Sequence, residues 1–259
     1  MALLQINNLT VEVAENNAKR CLLDRINFSM DALSIVSLVG ESGSGKTTTG
    51  LAVLRLLSPG LAITNGNVIF NNQDLLALPE DKMRGIRGRH IGMVFQEPLN
   101  AFNPVFSIGY QISEVLEVHT EFSAKQRRQR VLDLLDMVEL PNPRQIVESF
   151  PHQLSGGMRQ RAMIAQAIAA NPQLIIADEP TSNLDVTLQA KIMELFRKLR
   201  KELNLSILLI THDLGLVAHL ADQVVVMHSG KIVETGKANE VLANPQQAYT
   251  QQLLEASGV

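Results

Sequence analysis

Gly40-Glu41-Ser42-Gly43-Ser44-Gly45-Lys46-Thr47 decides how the rest of this chain is read, because it meets the phosphate-loop pattern G-x-x-x-x-G-K-[ST] at every specified position. Upstream, Ser34-Ile35-Val36-Ser37-Leu38-Val39 reads as a short buried strand. Downstream, Thr48 to Leu57 sets Leu51, Leu54, Arg55 and Leu57 at helical spacing, and Ser58-Pro59-Gly60 ends the run. A strand feeding a glycine loop that opens a helix separates this motif from a glycine-rich turn that happens to hold a lysine. Gly40, Gly43 and Gly45 let the backbone curl, so that N–H groups between Gly40 and Thr48 converge on phosphate oxygens. The helix N-terminus adds positive potential, Lys46 a point charge for the β- and γ-phosphates, and the Thr47 hydroxyl a ligand for Mg²⁺. The expected ligand is a nucleoside triphosphate.

The 259 residues can hold one large domain or two small ones around a sizeable core. A net charge of −3 argues against a general nucleic-acid binder, which carries a basic excess. Cys21 is the single cysteine, so there is no internal disulfide and no clustered-cysteine metal site, and a reducing compartment fits. No apolar run approaches the ~18 residues that span a bilayer. Met1-Ala2-Leu3-Leu4-Gln5 lacks the basic start and cleavage site of a signal peptide. The expectation is a soluble, cytoplasmic chain whose dealings with a membrane pass through another subunit.

Working outward, Leu4, Ile6, Leu9, Val11 and Val13 alternate as a strand with a phase slip at Asn7-Asn8, and Glu15 to Arg20 reads as a polar turn. Ile26, Phe28 and Met30 alternate again, and Val68-Ile69-Phe70 is a hairpin strand bracketed by Asn65-Gly66 and Asn71-Asn72. Lys82 to Arg89 is basic and exposed, and Ile91 to Phe95 is a strand ending at Gln96. Residues 97–153 show helical stretches and no strong strand. The clearest is Ser123 to Leu140, with Val131, Leu134, Leu135 and Val138 on one face; its Lys125, Arg127, Arg128 and Arg130 read most simply as a solvated face. From Gly157 onward, helices carrying Met163, Ile164, Ala167 and Ile168, then Ala190 to Leu203, alternate with the buried strands Leu174 to Asp178 and Ser206 to Thr211. Val224 to Met227 and Lys231 to Glu234 flank Ser229-Gly230 as a hairpin. Short apolar strands alternating with helices indicate a parallel sheet covered on both faces.

Two further stretches carry chemistry. A strand ending in Asp178 can hold Mg²⁺, and Glu179, one residue on, can orient or deprotonate an attacking water. Alone this is a weak sign, since acidic residues often end strands. Leu154-Ser155-Gly156-Gly157-Met158 opens a helix, and its serine and paired glycines form a second anion-binding surface. Alone it would be read as a serine N-cap on a flexible turn.

Gly40 to Thr47, Gln96, Leu154 to Gly157, Leu174 to Glu179, Ser182-Asn183-Leu184-Asp185 and His212 resemble, in this order, motifs of the ATP-binding cassette family. The matches are its phosphate loop, glutamine loop, signature, magnesium strand with catalytic glutamate, dimer-interface loop and switch histidine, and they cover essentially the whole chain. The resemblance implies an α/β phosphate-loop NTPase core with an antiparallel β subdomain and a helical insert. It makes residues 1–259 one domain, with core and β subdomain at 1–96 and 158–259 and the helical subdomain at 97–157. It implies an ATPase using ATP and Mg²⁺. Glu179, His212 and Gln96 would be catalytic. Gly40 to Thr48 with Ser155, Gly156 and Gly157 would contact nucleotide, and Thr47, Gln96 and Asp178 would attend the metal. In the family each site forms between two subunits, the phosphate loop of one facing the signature of the other.

Phe95 to Pro104, Phe150 to Met158 and Tyr249-Thr250-Gln251-Gln252-Leu253-Leu254 resemble, more narrowly, the peptide/nickel importer branch. That implies a second ATPase, identical or paralogous, two integral membrane permease subunits, a solute-binding protein acting indirectly, and no nucleic acid. The chain would sit peripherally on the cytoplasmic face of the inner or plasma membrane. Met158 stands where the family usually has glutamine, and between Val11 and Arg25 there is no aromatic to stack on adenine. Many peptide-importing members also continue into a cysteine-bearing tail; its absence before Val259 leans towards a metal-chelate or short-form peptide system. The rival reading, an ATPase of a DNA-repair or translation machine, normally brings a long coiled coil or two cassettes per chain. A small-molecule kinase would not need Leu154 to Gly157.

Overall fold

Alternating apolar residues build β1 (Ala2–Glu15), which pairs antiparallel with β2 (Ala18–Asp31) and buries Leu4, Ile6, Leu9 and Val11. The computed structural model describes residues 2–15 and 18–257, with only the backbone of Glu15 and Ala18. The expected phase slip is a bulge: Asn8 is left-handed, with φ 49°, and the ladder shifts register between Ile6 and Leu9. The polar turn expected over residues 15–20 is narrower, because Ala18, Lys19 and Arg20 pair with Glu15, Ala14 and Val13. These polar strand ends lack the alternation that would have marked them, and Asn16-Asn17 lies outside the described residues.

All five residues of β3 (Ile35–Val39) are buried, and the chain then enters α1 (Lys46–Val53). The helix stops short of the expected Leu57. Arg55 turns left-handed, with φ 54°, and its guanidinium donates to the carbonyl of Leu78 at 2.5 Å. β4 (Leu61–Phe70) runs through Asn65-Gly66, which is a bulge and not a turn; a Cβ on Gly66 would meet the carbonyl of Asn7 at 2.5 Å. Asn71 and Asn72, both left-handed, make the two-residue turn into β5 (Gln73–Asp74). The resulting antiparallel sheet has the order β2-β1-β4-β5. Helix α2 (Glu80–Ile86) follows and buries Met83, so the basic stretch is only partly exposed.

The chain divides into two compact units, Met1–Met83 with Ser206–Val259, and Arg84–Leu205. In the second unit, β6 (Ile91–Val94) leads to α3 (Pro98–Ala101), α4 (Ile108–His119), α5 (Ala124–Met137) and α6 (Pro143–Ile146). Ser123 and Gln126 close a capping box on α5, and Val131, Leu134 and Leu135 are its buried face, as the spacing predicts. Its arginines are less idle than expected. Arg127 donates to the Phe122 carbonyl at 3.0 Å and pairs with Glu117 of α4 at 3.5 Å. Then come α7 (Gly156–Ala167), β7 (Leu174–Asp178) and α8 (Val186–Leu203). β6 and β7 pair in parallel.

Back in the first unit, β8 (Ser206–Thr211) and β9 (Gln223–His228) flank β3 in parallel, and β10 (Lys231–Lys237) returns antiparallel to β9. Helices α9 (Leu214–Leu220), α10 (Ala238–Ala243) and α11 (Ala248–Ser257) complete it. Val39, Val224 and Val226 meet Leu214, Val217, Val241, Leu253 and Leu254 in one apolar cluster, so the strand that feeds the phosphate loop is braced by all three helices.

Candidate functional site

The phosphate loop lies in the first unit, between β3 and α1. Lys46 is 5% exposed, and its Nζ donates to the carbonyls of Gly40 (2.7 Å) and Glu41 (2.8 Å), so the loop curls around its own ammonium. Gly40, Gly43 and Gly45 have φ of 150°, 81° and 104°. Gly40 lies so close to the Met227 carbonyl that a Cβ would not fit, and a Cβ on Gly45 would stand 2.5 Å from Leu23 Cδ2. On Gly43 it would meet nothing within 4 Å, which leaves the mouth of the loop open. The buried Ser44 hydroxyl has no hydrogen-bond partner among the described residues. An open glycine turn, an orphaned hydroxyl and a lysine at a helix N-terminus fit a phosphate chain. Thr47 is exposed and Thr48 half-buried in the first turn of α1.

Residues far away in sequence hold this loop from behind. Gly230 N–H donates to the Ser44 carbonyl (3.0 Å), the Thr49 hydroxyl reaches Met227 Sδ (3.8 Å), and Glu41 N–H donates to the Tyr249 hydroxyl (3.1 Å). No local sequence pattern links these partners to the loop, since they lie some 200 positions away; Tyr249 is singled out in the sequence only by its resemblance motif. His212 follows the last residue of β8 directly and is exposed.

The remaining expected residues lie in the second unit. Asp178 ends β7 and is 3% exposed. Glu179 follows with φ 42°, a left-handed conformation unusual for a glutamate and the kind of local strain that gathers at functional sites. Gln96, two residues past β6, is exposed. Ser155 caps α7, accepting from Met158 N–H at 3.3 Å, with Gly156 exposed and Gly157 half-buried behind it. Gln96, Gly156, Ser182 and Asn183 line one cavity of about 340 Å³ within this unit. The buried Gln160 Nε2 and the Ser182 hydroxyl, both on residues lining that cavity, lack partners among the described residues, and Asn183 donates to Glu97 Oε1 at 2.8 Å. Asp185 caps α8 through Leu188 N–H at 2.9 Å, a structural duty within the loop that the resemblance assigns to a dimer interface.

A lysine buried in a curled glycine loop at the head of a helix is the build of phosphate-loop nucleoside triphosphatases, and the added antiparallel sheet narrows the class to ATP-binding cassettes. Comparison with known proteins agrees. The family described as ABC transporter matches residues 23–182. The oligopeptide transport ATP-binding protein of Bacillus subtilis is 44% identical over 97% of this chain and 71% of its own length. The dipeptide transport ATP-binding protein of Escherichia coli is 45% identical over 99% of this chain and 78% of its own. A solved dimeric ATP-binding cassette in a post-hydrolysis state, bound to ADP and Pi, superposes with a TM-score of 0.82 at 30% identity, covering 91% of this chain and 98% of that one. This chain belongs to the ABC transporter family.

Proposed function

We propose that this chain hydrolyses ATP to drive import of peptides through a membrane permease, working with a second ATPase subunit and a solute-binding protein. The observation that carries the reading is the phosphate loop closed on buried Lys46. The names of the relatives support peptides over a metal-chelate cargo and favour transport over DNA repair or translation, and one named a putative peptide import ATP-binding protein, of Brucella abortus, favours import.

The roles follow from chemistry. Lys46 and the N–H groups of residues 40–48 bind the triphosphate. Thr47 and Asp178, with Gln96, are the residues that would hold Mg²⁺, which would offset charge on the phosphates. Glu179 takes a proton from the attacking water while His212 holds the γ-phosphate. Ser155, Gly156 and Gly157 contact the nucleotide of the partner subunit. Among the described residues no helix is long and apolar enough to cross a membrane. Leu99, Val105, Phe106 and Tyr110 are exposed apolar residues, with the last two rings stacked at 4.8 Å, and they supply a surface for a permease.

The test is reconstitution with candidate permease and solute-binding subunits, following ATP-dependent uptake of labelled di- and oligopeptides and of nickel. Peptide uptake that Lys46→Ala abolishes is expected; uptake of nickel alone would overturn the peptide assignment.

A further inference from the structure

The Gly40–Glu41 peptide is gripped at both ends. Its carbonyl accepts from Lys46 Nζ at 2.7 Å, and its N–H donates to the Tyr249 hydroxyl at 3.1 Å. In a trans peptide these two groups point in opposite directions, so the pair of bonds fixes the orientation of the peptide plane. Such a grip matters here because Gly40, with φ 150°, has no Cβ to bias its own torsions. If the peptide turned over, Gly40 would carry its carbonyl away from Lys46 and take one acceptor from the ammonium, which also bonds the Glu41 carbonyl.

Tyr249 is placed for this by the rest of α11. Leu253 and Leu254 are buried against Val39, the last residue before the loop, and against Val226. The His228 ring packs on the Tyr249 ring with centroids 4.0 Å apart, and the neighbouring Met227 carbonyl presses on Gly40. The helix therefore registers against the same strands that deliver the loop, and its phenol is the one group it extends to the loop backbone through a described hydrogen bond.

We propose that Tyr249 is a positioning residue for nucleotide binding: its hydroxyl holds the Gly40–Glu41 peptide in the orientation that places Lys46 for the phosphates. This rests on the reading of the loop as the ATP site. The phenol touches no reacting atom, so its effect falls on affinity and not on the chemical step.

Tyr249→Phe keeps the ring, its packing on His228 and the burial of α11, and removes only the acceptor. Nucleotide titration of the isolated chain, its melting temperature, and kcat and KM of the assembled transporter are the measurements. The expected result is a three- to tenfold weaker affinity for both ATP and ADP, about what one hydrogen bond supplies. KM should rise in step, with kcat within about twofold and the melting temperature of the nucleotide-free chain unchanged. Wild-type affinity in Tyr249→Phe would overturn the proposal, as would a fall in affinity matched by a fall in the stability of the nucleotide-free chain, which would mark a purely structural role. A wild-type chain that binds no nucleotide would sink the ATPase reading and this proposal with it.

Discussion

Gly157 of the signature turn lies against Leu188 of α8: a Cβ built on it would stand 3.3 Å from Leu188 Cδ1. A substitution there therefore presses on Leu188 of this chain as well as on any partner. Gly156 is different, since a Cβ on it would meet only Leu184 Cδ2 at 3.9 Å. Gly156→Asp should fold normally and bind ATP through its own phosphate loop within about twofold. If the signature faces the partner's γ-phosphate, the new carboxylate sets charge against charge in a partly desolvated interface. Hydrolysis by the assembled importer should then fall by ~10²-fold or more, a loss of at least ~2.7 kcal/mol of transition-state stabilisation. Wild-type turnover in that variant would remove the composite site.

Adenine poses a second question. Val13 is half-buried and pairs across the β1–β2 hairpin with Arg20, and Leu23 farther along β2 packs on Gly45 of the loop. With no aromatic residue between Val11 and Arg25, binding should rest on the phosphates shared by every nucleotide. GTP should compete with ATP within about tenfold, or ~1.4 kcal/mol. Val13→Tyr should tighten ATP binding, since stacking a base on an aromatic ring supplies ~1–3 kcal/mol. A wild-type preference for ATP of ~100-fold would show that another side chain already reads the base.

The parts of this molecule that sequence reveals are those built on short-range repeats. Gly40 to Thr47 and Leu174 to Asp178 declare themselves because each is a local pattern with a local physical cause: a curled backbone, and a strand buried on both faces. The apolar spacing of Leu54 and Leu57 outlasts helix α1, and Arg55's bonds to the Leu75 and Leu78 carbonyls hold the chain in its turn away from the helix. Asn65-Gly66 reads as a turn but serves as a bulge, since β1 supplies a partner strand on both sides of it. The Tyr249–Glu41 bond joins residues 208 positions apart, and no window of sequence contains both.

Glu139 links the signature helix to its neighbours and gives a test by pH. Its carboxylate accepts from Arg161 of α7 at 3.1 Å and from Lys198 of α8 at 3.3 Å. Burial alone would raise its pKa, but the hydrogen bonds from Lys198 and Arg161 outweigh that and hold it below the usual glutamate value. A lowered carboxylate pKa stabilises the fold above the unfolded value, about 4.3, and that stability is lost as pH falls through the folded value. Melting temperature measured from about pH 6 to about pH 3 should fall more steeply for wild type than for Glu139→Gln. Parallel curves would mean the pair of bonds contributes nothing. Arg161, 12% exposed at its side chain and also bonded to the Val138 carbonyl at 2.7 Å, is the costlier residue to remove.

Asp178 and Glu179 stand next to each other in sequence, yet their backbones separate them. Asp178 finishes a buried strand in extended conformation, while Glu179 turns left-handed, with φ 42°, and so projects on a different course. The proposed division of labour gives Asp178 to Mg²⁺, whose charge would make a carboxylate ligand a poor proton acceptor. Glu179 is then the group that acts on water. Glu179→Gln keeps the size and hydrogen bonding of the side chain and removes its basicity. Hydrolysis should slow by ~10²-fold or more, while ATP still binds and holds the ATPase pair together in size-exclusion chromatography. Asp178→Asn should act earlier, weakening the dependence of ATP binding on Mg²⁺ and with it the ATP-bound pair. If Glu179→Gln hydrolysed ATP at the wild-type rate, the strained turn at residue 179 would have to be explained by something other than catalysis.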